Sequence, residues 1–223
     1  TITKAITGTS GGNFEALTTT STVSTSVVDD ADTTVVTLSA SAGSVTEGGT
    51  ITYTASVNNP VTGSDLIVTL TGGVTITIPV GSSSANSTAV ATRSDDAYLQ
   101  GTDTITKAIT GTSGGNFEAL TTTSTVSTSV VDDADTTVVS LSGDASVVEG
   151  ASAIYTISLT SPAQSDVTVT LNYSGTAVNG ADISGSTTVV ILAGTSSTDF
   201  SITANEDLIA ESTKSFTLTI GSA

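Results

Sequence analysis

The sequence lacks four residue types that carry much of protein chemistry: it has no histidine, cysteine, methionine or tryptophan in 223 residues. Without histidine or cysteine, zinc fingers, Ser-His-Asp or Cys-His nucleophiles, and the usual haem and iron–sulfur ligands are excluded. No disulfide can form. No apolar run approaches the roughly 18 residues that a membrane helix needs, so we expect no direct membrane insertion.

Basic residues are also scarce, with 4 lysines and arginines against 21 acidic residues and a formal net charge of −17. Such a charge disfavours nucleic acid and anionic membrane surfaces as partners, because both are themselves negative. It favours hard cations, which bind carboxylate oxygens. Aromatic residues make up only 4% of the chain, which leaves no stacking platform for a sugar, and we expect no enzyme activity.

What the chain does contain is abundant threonine and valine, the β-branched residues that favour strands. Its mean hydropathy is positive (+0.28), whereas disordered chains have low hydrophobicity. No stretch carries a helical period with caps. Residues 50–57 alternate, with Ile51, Tyr53, Ala55 and Val57 on one face, as in a strand with one buried and one wet face.

An internal repeat is the most informative feature of the sequence. Residues 1–36 and residues 104–139 are identical, letter for letter. After the identity ends, residues 44–60 still align with residues 146–162. A period near 100 residues is too long for a solenoid and fits a string of immunoglobulin-like sandwiches.

The repeat predicts three segments in an all-β fold of tandem immunoglobulin-like antiparallel β-sandwiches. Residues 1–29 are expected to be the C-terminal F–G hairpin of a preceding repeat. Residues 30–133 form a full repeat, and residues 134–223 form a second repeat without its last strand. We expect the chain to be a piece of something longer, since it begins at Thr1. In the full repeat the predicted strands A to G are 33–42, 50–57, 66–70, 74–80, 87–93, 103–110 and 117–131.

The acids of the full repeat fall in places that this topology brings together. Strands that alternate in direction put the A–B loop, the E–F loop and the end of strand G at one end of the sandwich. Carboxylates crowded there would repel one another unless a cation joined them, and calcium takes six to eight oxygens. The predicted ligands of a calcium ion are Glu47, Asp95, Asp96, Asp132, Asp133 and Asp135.

The same plan recurs in the second repeat and in the leading segment, where further calcium ligands are predicted. They are Glu149, Asp182, Glu206, Asp207 and Glu211 in the second repeat, and Asp29, Asp30 and Asp32 in the leading segment. An alternative stays open, in which all of these acids form a solvated face that keeps the chain soluble.

Two other side chains stand out. Tyr98 lies at the predicted E–F corner, where sandwiches often place a tyrosine whose hydroxyl bonds back to the nearby backbone. Lys107 shares the parity of inward residues in strand F, which is unusual for a cation. Three alternatives stay open: its stem packs while the ammonium reaches water, a β-bulge turns the side chain outward, or the lysine forms an isopeptide crosslink to an Asn or Asp.

The second repeat resembles a Calx-beta domain, a calcium-binding immunoglobulin-like sandwich. The resemblance rests on SVVEG (146–150), GTAVNGADI (175–183), LAGTSSTDFSI (192–202) and NEDLIAESTKSFTLTI (205–220). It implies ligand roles for Glu149, Asp182, Glu206, Asp207 and Glu211. The sequence departs from the family at Lys214, where an acid is common, and at Ile183, where an aromatic is common.

The full repeat and the leading segment resemble the extender repeats of giant bacterial biofilm adhesins exported by type I secretion, including those of the RTX type. The match is carried by VTEGGTITYTASVNNPVTGSDLIVTL, ITIPVGSSS, DDAYLQGTDTI, GGNFEAL and VVDDADTT. It implies a monomeric stalk on the bacterial cell surface, stiffened by calcium between neighbouring repeats, that supports surface attachment. Two alternatives stay open: a ligand-binding adhesion module, and a calcium-sensing Calx-beta regulatory module.

Overall fold

The computed structural model describes residues 1–210 and 212–223, and every regular element in them is a β-strand. The predicted all-β fold of antiparallel immunoglobulin-like sandwiches is confirmed. These residues contain no helix long and apolar enough to cross a membrane. The strands are β1 (Ile2–Ala5), β2 (Thr22–Thr25), β3 (Thr33–Ala40), β4 (Ser44–Thr46), β5 (Thr50–Ile51), β6 (Tyr53–Val57), β7 (Leu66–Leu70), β8 (Thr75–Ile78), β9 (Ser84–Asn86), β10 (Val90–Ala91), β11 (Asp103–Ser113), β12 (Ala119–Thr121), β13 (Thr125–Val131), β14 (Val139–Gly143), β15 (Ser152–Leu159), β16 (Val167–Gly175), β17 (Ile183–Ser184), β18 (Thr188–Ile191), β19 (Ser197–Ala204) and β20 (Phe216–Ser222).

The contacts between residues divide the chain into two compact units. The first comprises Thr1–Val45, Thr50–Ala91 and Thr104–Ser129. The second comprises Thr46–Gly49, Thr92–Asp103 and Val130–Ala223. The acidic loops of the first full repeat therefore belong to the second unit.

The first full repeat is built on a five-stranded sheet in the order β4-β13-β11-β7-β8 and a four-stranded sheet in the order β12-β3-β6-β9. A short pair, β10 with β5, completes it. The predicted inward face of strand B is confirmed, since Ile51, Tyr53, Ala55 and Val57 are all buried. Twelve buried apolar side chains form one core cluster between the sheets.

Three predicted strands are each divided in the structure. Predicted strand B (50–57) forms β5 and β6, with a break at Thr52. Predicted strand E (87–93) is replaced by β9, which pairs with β6, and β10, which pairs with β5. The interruption falls at Ser87, whose amide donates to the Tyr53 carbonyl and whose hydroxyl accepts from the Tyr53 amide. Predicted strand G (117–131) also changes sheet: β12 pairs in parallel with β3, and β13 joins the other sheet.

The second repeat has a four-stranded sheet in the order β14-β15-β19-β17 and a three-stranded sheet in the order β18-β16-β20. Its last described strand, β20, begins at Phe216, where its pairing with β16 starts. Its described buried apolar side chains form two clusters of five and three residues, rather than one large cluster.

The leading segment contains a two-stranded antiparallel hairpin of β1 and β2. Thr3 lies opposite Ser24, and their hydroxyls are 3.0 Å apart. All residues of both strands are exposed. An isolated two-stranded hairpin of this kind is marginally stable in water.

Candidate metal centre

Four carboxylates from three segments of the chain come together at one place. Glu47 follows β4, Asp95 lies between β10 and β11, and Asp133 and Asp135 follow β13. One oxygen of each lies within 4.8 Å of one oxygen of every other. Sequence analysis predicted that these loops and the end of strand G would converge, and the structure brings together four of the six acids.

Backbone contacts explain why these segments meet. The Glu47 amide donates to the Val131 carbonyl at 2.9 Å, and the Gly48 amide donates to the Arg93 carbonyl at 2.8 Å. Gly48 has a φ of +68°, which favours glycine. A Cβ atom at this position would lie 2.8 Å from the Asp95 Cβ, so the glycine also permits Asp95 to approach the Glu47 loop.

Glu47 is the buried member of the group, and its side chain is 1% exposed. Its Oε2 accepts a hydrogen bond from the Arg93 Nε at 2.6 Å. Its Oε1 is buried and has no hydrogen-bond partner among the described residues. A buried carboxylate oxygen without a partner is costly unless something else satisfies it, and a cation would do so.

Arg93 is the chain's only arginine, and sequence analysis did not single it out. It donates from Nη1 to the Gly101 carbonyl at 2.7 Å and to Asp103 at 3.1 Å, and its Nη2 lies 3.7 Å from Asp132 Oδ1. The acidic neighbours raise the pKa of the guanidinium, with the Glu47 hydrogen bond as the largest cause. A single arginine just before an Asp-Asp pair in so acidic a chain was the available signal.

Two of the predicted ligands have other partners. Asp96 accepts from the Tyr98 amide at 2.9 Å and from the Gln100 side-chain amide at 2.6 Å. Asp132 accepts from the Gln100 amide at 3.0 Å. Both therefore lie beside the four-carboxylate group and help to fix the loop that carries Asp95.

The group carries electrostatic strain, which is visible at Asp135. Desolvation raises the pKa of this carboxyl, and the negative charges of Asp133, Asp95, Asp132 and Asp96 raise it further. The ionised form of Asp135 is therefore less favoured than that of a free aspartate, first because of desolvation and then because of the neighbouring negative charges.

The residues fit a calcium ion. Oxygens that share one ion at about 2.3–2.6 Å lie at most about 5 Å apart, which matches the spacing of the four carboxylates. The Glu47 Oε1 atom is buried without a hydrogen-bond partner and would be a ligand atom of such an ion. Bound calcium would neutralise the mutual repulsion of the group.

The acids of the second repeat are arranged differently. Glu149, Asp182, Glu206 and Asp207 line a cavity of about 500 Å³. No three of the described acids there meet the spacing seen around Glu47. The Asp182 carboxylate accepts hydrogen bonds from the Lys214 ammonium at 2.6 Å and from the Val178 amide at 2.7 Å. The hydrogen bond from Lys214 is the largest cause of a lowered pKa of Asp182, and the Val178 amide lowers it further.

The remaining predicted ligands are not assembled into a site by the described residues. Asp29, Asp30 and Asp32 are exposed, and no group of three ligands includes them in the parts of the chain that are described. The Asp32 amide donates to the Glu118 carboxylate. Glu211 lies outside the described residues. Ligand roles for these residues stay predictions.

Tyr98 and Lys107 have partners that differ from the expectations. The Tyr98 hydroxyl donates to the Pro162 carbonyl at 2.9 Å, not to the backbone just before it, so it does not form the expected tyrosine corner. The Lys107 ammonium donates to the Thr71 carbonyl at 2.8 Å, at the turn between β7 and β8. This contact explains how a lysine can alternate with inward-facing residues of the strand, because its ammonium binds a backbone carbonyl.

Comparison with known proteins gives one family. No curated protein matches the chain. Among solved structures, the chain is similar to CBD12 from CALX1.2, with 13% identity, a TM-score of 0.28, and coverage of 83% of this chain and 79% of that one. The LapA domain matches residues 32–134 and again residues 135–223. The chain therefore belongs to the LapA-domain family, a family of bacterial biofilm adhesins found at the cell surface.

Proposed function

We propose that this chain is a structural extender segment of a bacterial surface adhesin, stiffened by calcium where one repeat passes into the next. It projects an adhesive region for surface attachment and biofilm formation and has no catalytic step. The observation that carries the proposal is the group of Glu47, Asp95, Asp133 and Asp135, with its buried and unpartnered Glu47 oxygen.

The position of the four ligands suggests how an ion would act. Glu47 and Asp95 belong to loops of the first full repeat, and Asp133 and Asp135 belong to the segment that leads into the second. One ion held by all four would fix this segment against the two loops. It would also remove the repulsion that raises the pKa of Asp135.

The two LapA-domain matches support the extender role, because repeated domains of one kind add length. Identical sequence at 1–36 and 104–139 points the same way. Export by type I secretion and an extracellular location complete the proposal, since millimolar calcium outside the cell suits sites of modest affinity.

Small-angle scattering of the whole chain tests the proposal. In millimolar calcium we expect a narrower distribution of interatomic distances than in chelator, because the linking segment loses freedom. The matched control is Glu47→Gln, which should scatter alike in both conditions. Identical wild-type profiles with and without calcium would refute the stiffening role.

A further inference from the structure

The hydroxyl of Tyr98 connects a loop of the first full repeat to a loop of the second. Tyr98 lies between β10 and β11, within the LapA-domain match at 32–134, and Pro162 lies between β15 and β16, within the match at 135–223. The hydroxyl donates to the Pro162 carbonyl at 2.9 Å, across 64 positions of sequence. Both residues belong to the second compact unit. The bond therefore acts between two domains of one kind.

Tyr98 does not serve the hydrophobic core of its own repeat. The other three tyrosines, Tyr53, Tyr155 and Tyr173, each belong to a core cluster or pack against one. The core clusters formed by the described residues do not include Tyr98. The reason for a tyrosine at this position therefore lies outside the core.

The corresponding loop of the second repeat shows that the local turn does not need a tyrosine either. The Tyr98 amide donates to the Asp96 carboxylate at 2.9 Å, and the Ile209 amide donates to the Asp207 carboxylate at 2.7 Å. Both are turns in which an aspartate binds the backbone two residues on. Because the same turn forms with isoleucine, the hydroxyl of Tyr98 is an addition to the loop rather than part of its fold.

The loop that carries the tyrosine is anchored beside the candidate metal centre. Gln100 donates from its side-chain amide to Asp96 at 2.6 Å and from its backbone amide to Asp132 at 3.0 Å. Asp95 directly precedes this loop segment, Asp133 directly follows Asp132, and both belong to the four-carboxylate group. A cation held by that group would therefore also fix the loop on which the tyrosine lies.

The acceptor is held in place by the second repeat. The Ala163 amide donates to the Thr195 carbonyl at 2.9 Å, and the Gly194 amide donates to the Ala163 carbonyl at 2.7 Å. Ala163 is buried, and the proline ring restricts φ at residue 162. A donor that reaches the Pro162 carbonyl is thus attached to a firmly held part of the second repeat.

We propose that Tyr98 is a positioning residue of the junction, through which calcium at the Glu47 group restricts the second repeat. This inference rests on the proposed function, because it requires an ion at that group. The ion alone holds the linking segment at one point, about which the second repeat can still turn. The Tyr98 hydroxyl adds a second point of attachment. Since both partners are on one chain, a single hydrogen bond is enough to favour the joined arrangement.

Distance measurements between two spin labels on the whole chain test the proposal. The chain has no cysteine, so Thr77→Cys and Val190→Cys supply the only thiols, at exposed positions of the edge strands β8 and β18. In millimolar calcium we expect a narrow distribution of distances. After Tyr98→Phe, which removes only the hydroxyl, the distribution in calcium should be about twofold wider, since open arrangements are then also populated. In chelator both chains should give equally broad distributions.

The matched control is Tyr173→Phe, which loses a bond of the same kind within one repeat. The Tyr173 hydroxyl donates to the Ser186 carbonyl at 2.8 Å, so its loss should leave the distribution narrow in calcium. Calorimetry measures calcium binding by the same variants. Tyr98→Phe should bind calcium within about threefold of wild type, because it removes no carboxylate and loses only the reciprocal coupling.

The outcomes separate this inference from the proposed function. A distribution in Tyr98→Phe as narrow as that of wild type, or equal broadening in Tyr173→Phe, would overturn the inference and leave the extender role intact. A wild-type chain narrower than Tyr98→Phe in chelator would also overturn it, because the bond would then act without the ion. Wild-type distances equally broad in calcium and chelator would refute the proposed stiffening, and this inference with it.

Discussion

The two repeats place acids in corresponding loops but neutralise them with cations from different positions. In the first full repeat Arg93 takes one oxygen of the buried Glu47 and leaves the other without a partner. In the second, Lys214 donates directly to Asp182 at 2.6 Å. The side chains of that pair are 31% and 24% exposed, whereas Glu47 is 1% exposed.

The difference shows that acids in corresponding loops need not gather into one group. Arg93 binds one oxygen of Glu47 and leaves four carboxylates close together. Lys214 instead pairs with Asp182 inside the cavity that acids of the second repeat line. We therefore expect the centre around Glu47 to bind calcium more tightly than the cavity around Asp182.

The largest expected effect separates the two regions by their response to calcium. In millimolar calcium the wild-type melting temperature should rise by roughly 5–10 °C over its value in chelator, because only the folded chain binds the ion. The rise should disappear in the double variant Asp133→Asn, Asp135→Asn of the first group. Most of the rise should remain in the double variant Glu206→Gln, Asp207→Asn of the second repeat. Scanning calorimetry measures both. An equal loss in the two double variants would contradict the distinction.

The next effect compares the two cations. In chelator, Arg93→Gln should lower the melting temperature by roughly 5 °C or more, because it leaves the buried Glu47 charge without its partner. Lys214→Gln should lower it by no more than about 2 °C, since its pair with Asp182 is partly exposed. Thermal denaturation followed by circular dichroism is sufficient. An equal fall in melting temperature in the two variants would show that Arg93 contributes no more to stability than Lys214 does.

A smaller effect compares two glycines at equivalent positions. Gly48 and Gly150 have φ values of +68° and +78°, so an alanine is strained at both. A Cβ at Gly48 would meet the Asp95 Cβ, near the backbone, whereas one at Gly150 would meet the Glu206 Oε2, at the end of a flexible side chain. Urea unfolding should show Gly48→Ala to be more destabilising, by about 1 kcal/mol.

The smallest effect is in the titration of two carboxyls, followed by carbon-detected NMR in chelator. Asp135 should titrate above the ordinary aspartate pKa of about 3.9, and Asp182 below it. When the pH falls through the raised pKa of Asp135, this carboxyl is protonated, which removes a charge that destabilises the folded chain. Because a protonated carboxyl binds calcium poorly, calcium binding should weaken over the same pH range. The stabilising contribution of Asp182 is present above the ordinary pKa and is lost as the pH falls through its lowered value. Reversed midpoints would contradict this assignment.

Alternation at 50–57 predicted a buried face, and a repeat length near 100 residues predicted the sandwich. Neither could predict the split of strands B, E and G. The break in strand E lies at Ser87, which exchanges two hydrogen bonds with the Tyr53 backbone. Strand propensity does not encode such contacts.

For the candidate metal centre, topology predicted which loops would meet, but not which carboxylates would lie close together. Asp96 and Asp132 are drawn to Gln100, and no charge pattern indicated that glutamine. Sequence pattern did not indicate Arg93 either, because its pair with Glu47 joins residues 46 positions apart and forms only in the fold. Side-chain partners of this kind are set by tertiary contacts.

The most direct test of the account is a calcium titration of the whole chain by calorimetry, with Glu47→Gln and the matched second-repeat variant Glu149→Gln measured beside it. Circular dichroism should first show all three to be folded. The account predicts saturable calcium binding in wild type, retained in Glu149→Gln and weakened at least about tenfold in Glu47→Gln, which loses the buried ligand. No heat at millimolar calcium in wild type, or equal binding by all three, would contradict it and return the acids to the role of a solvated surface.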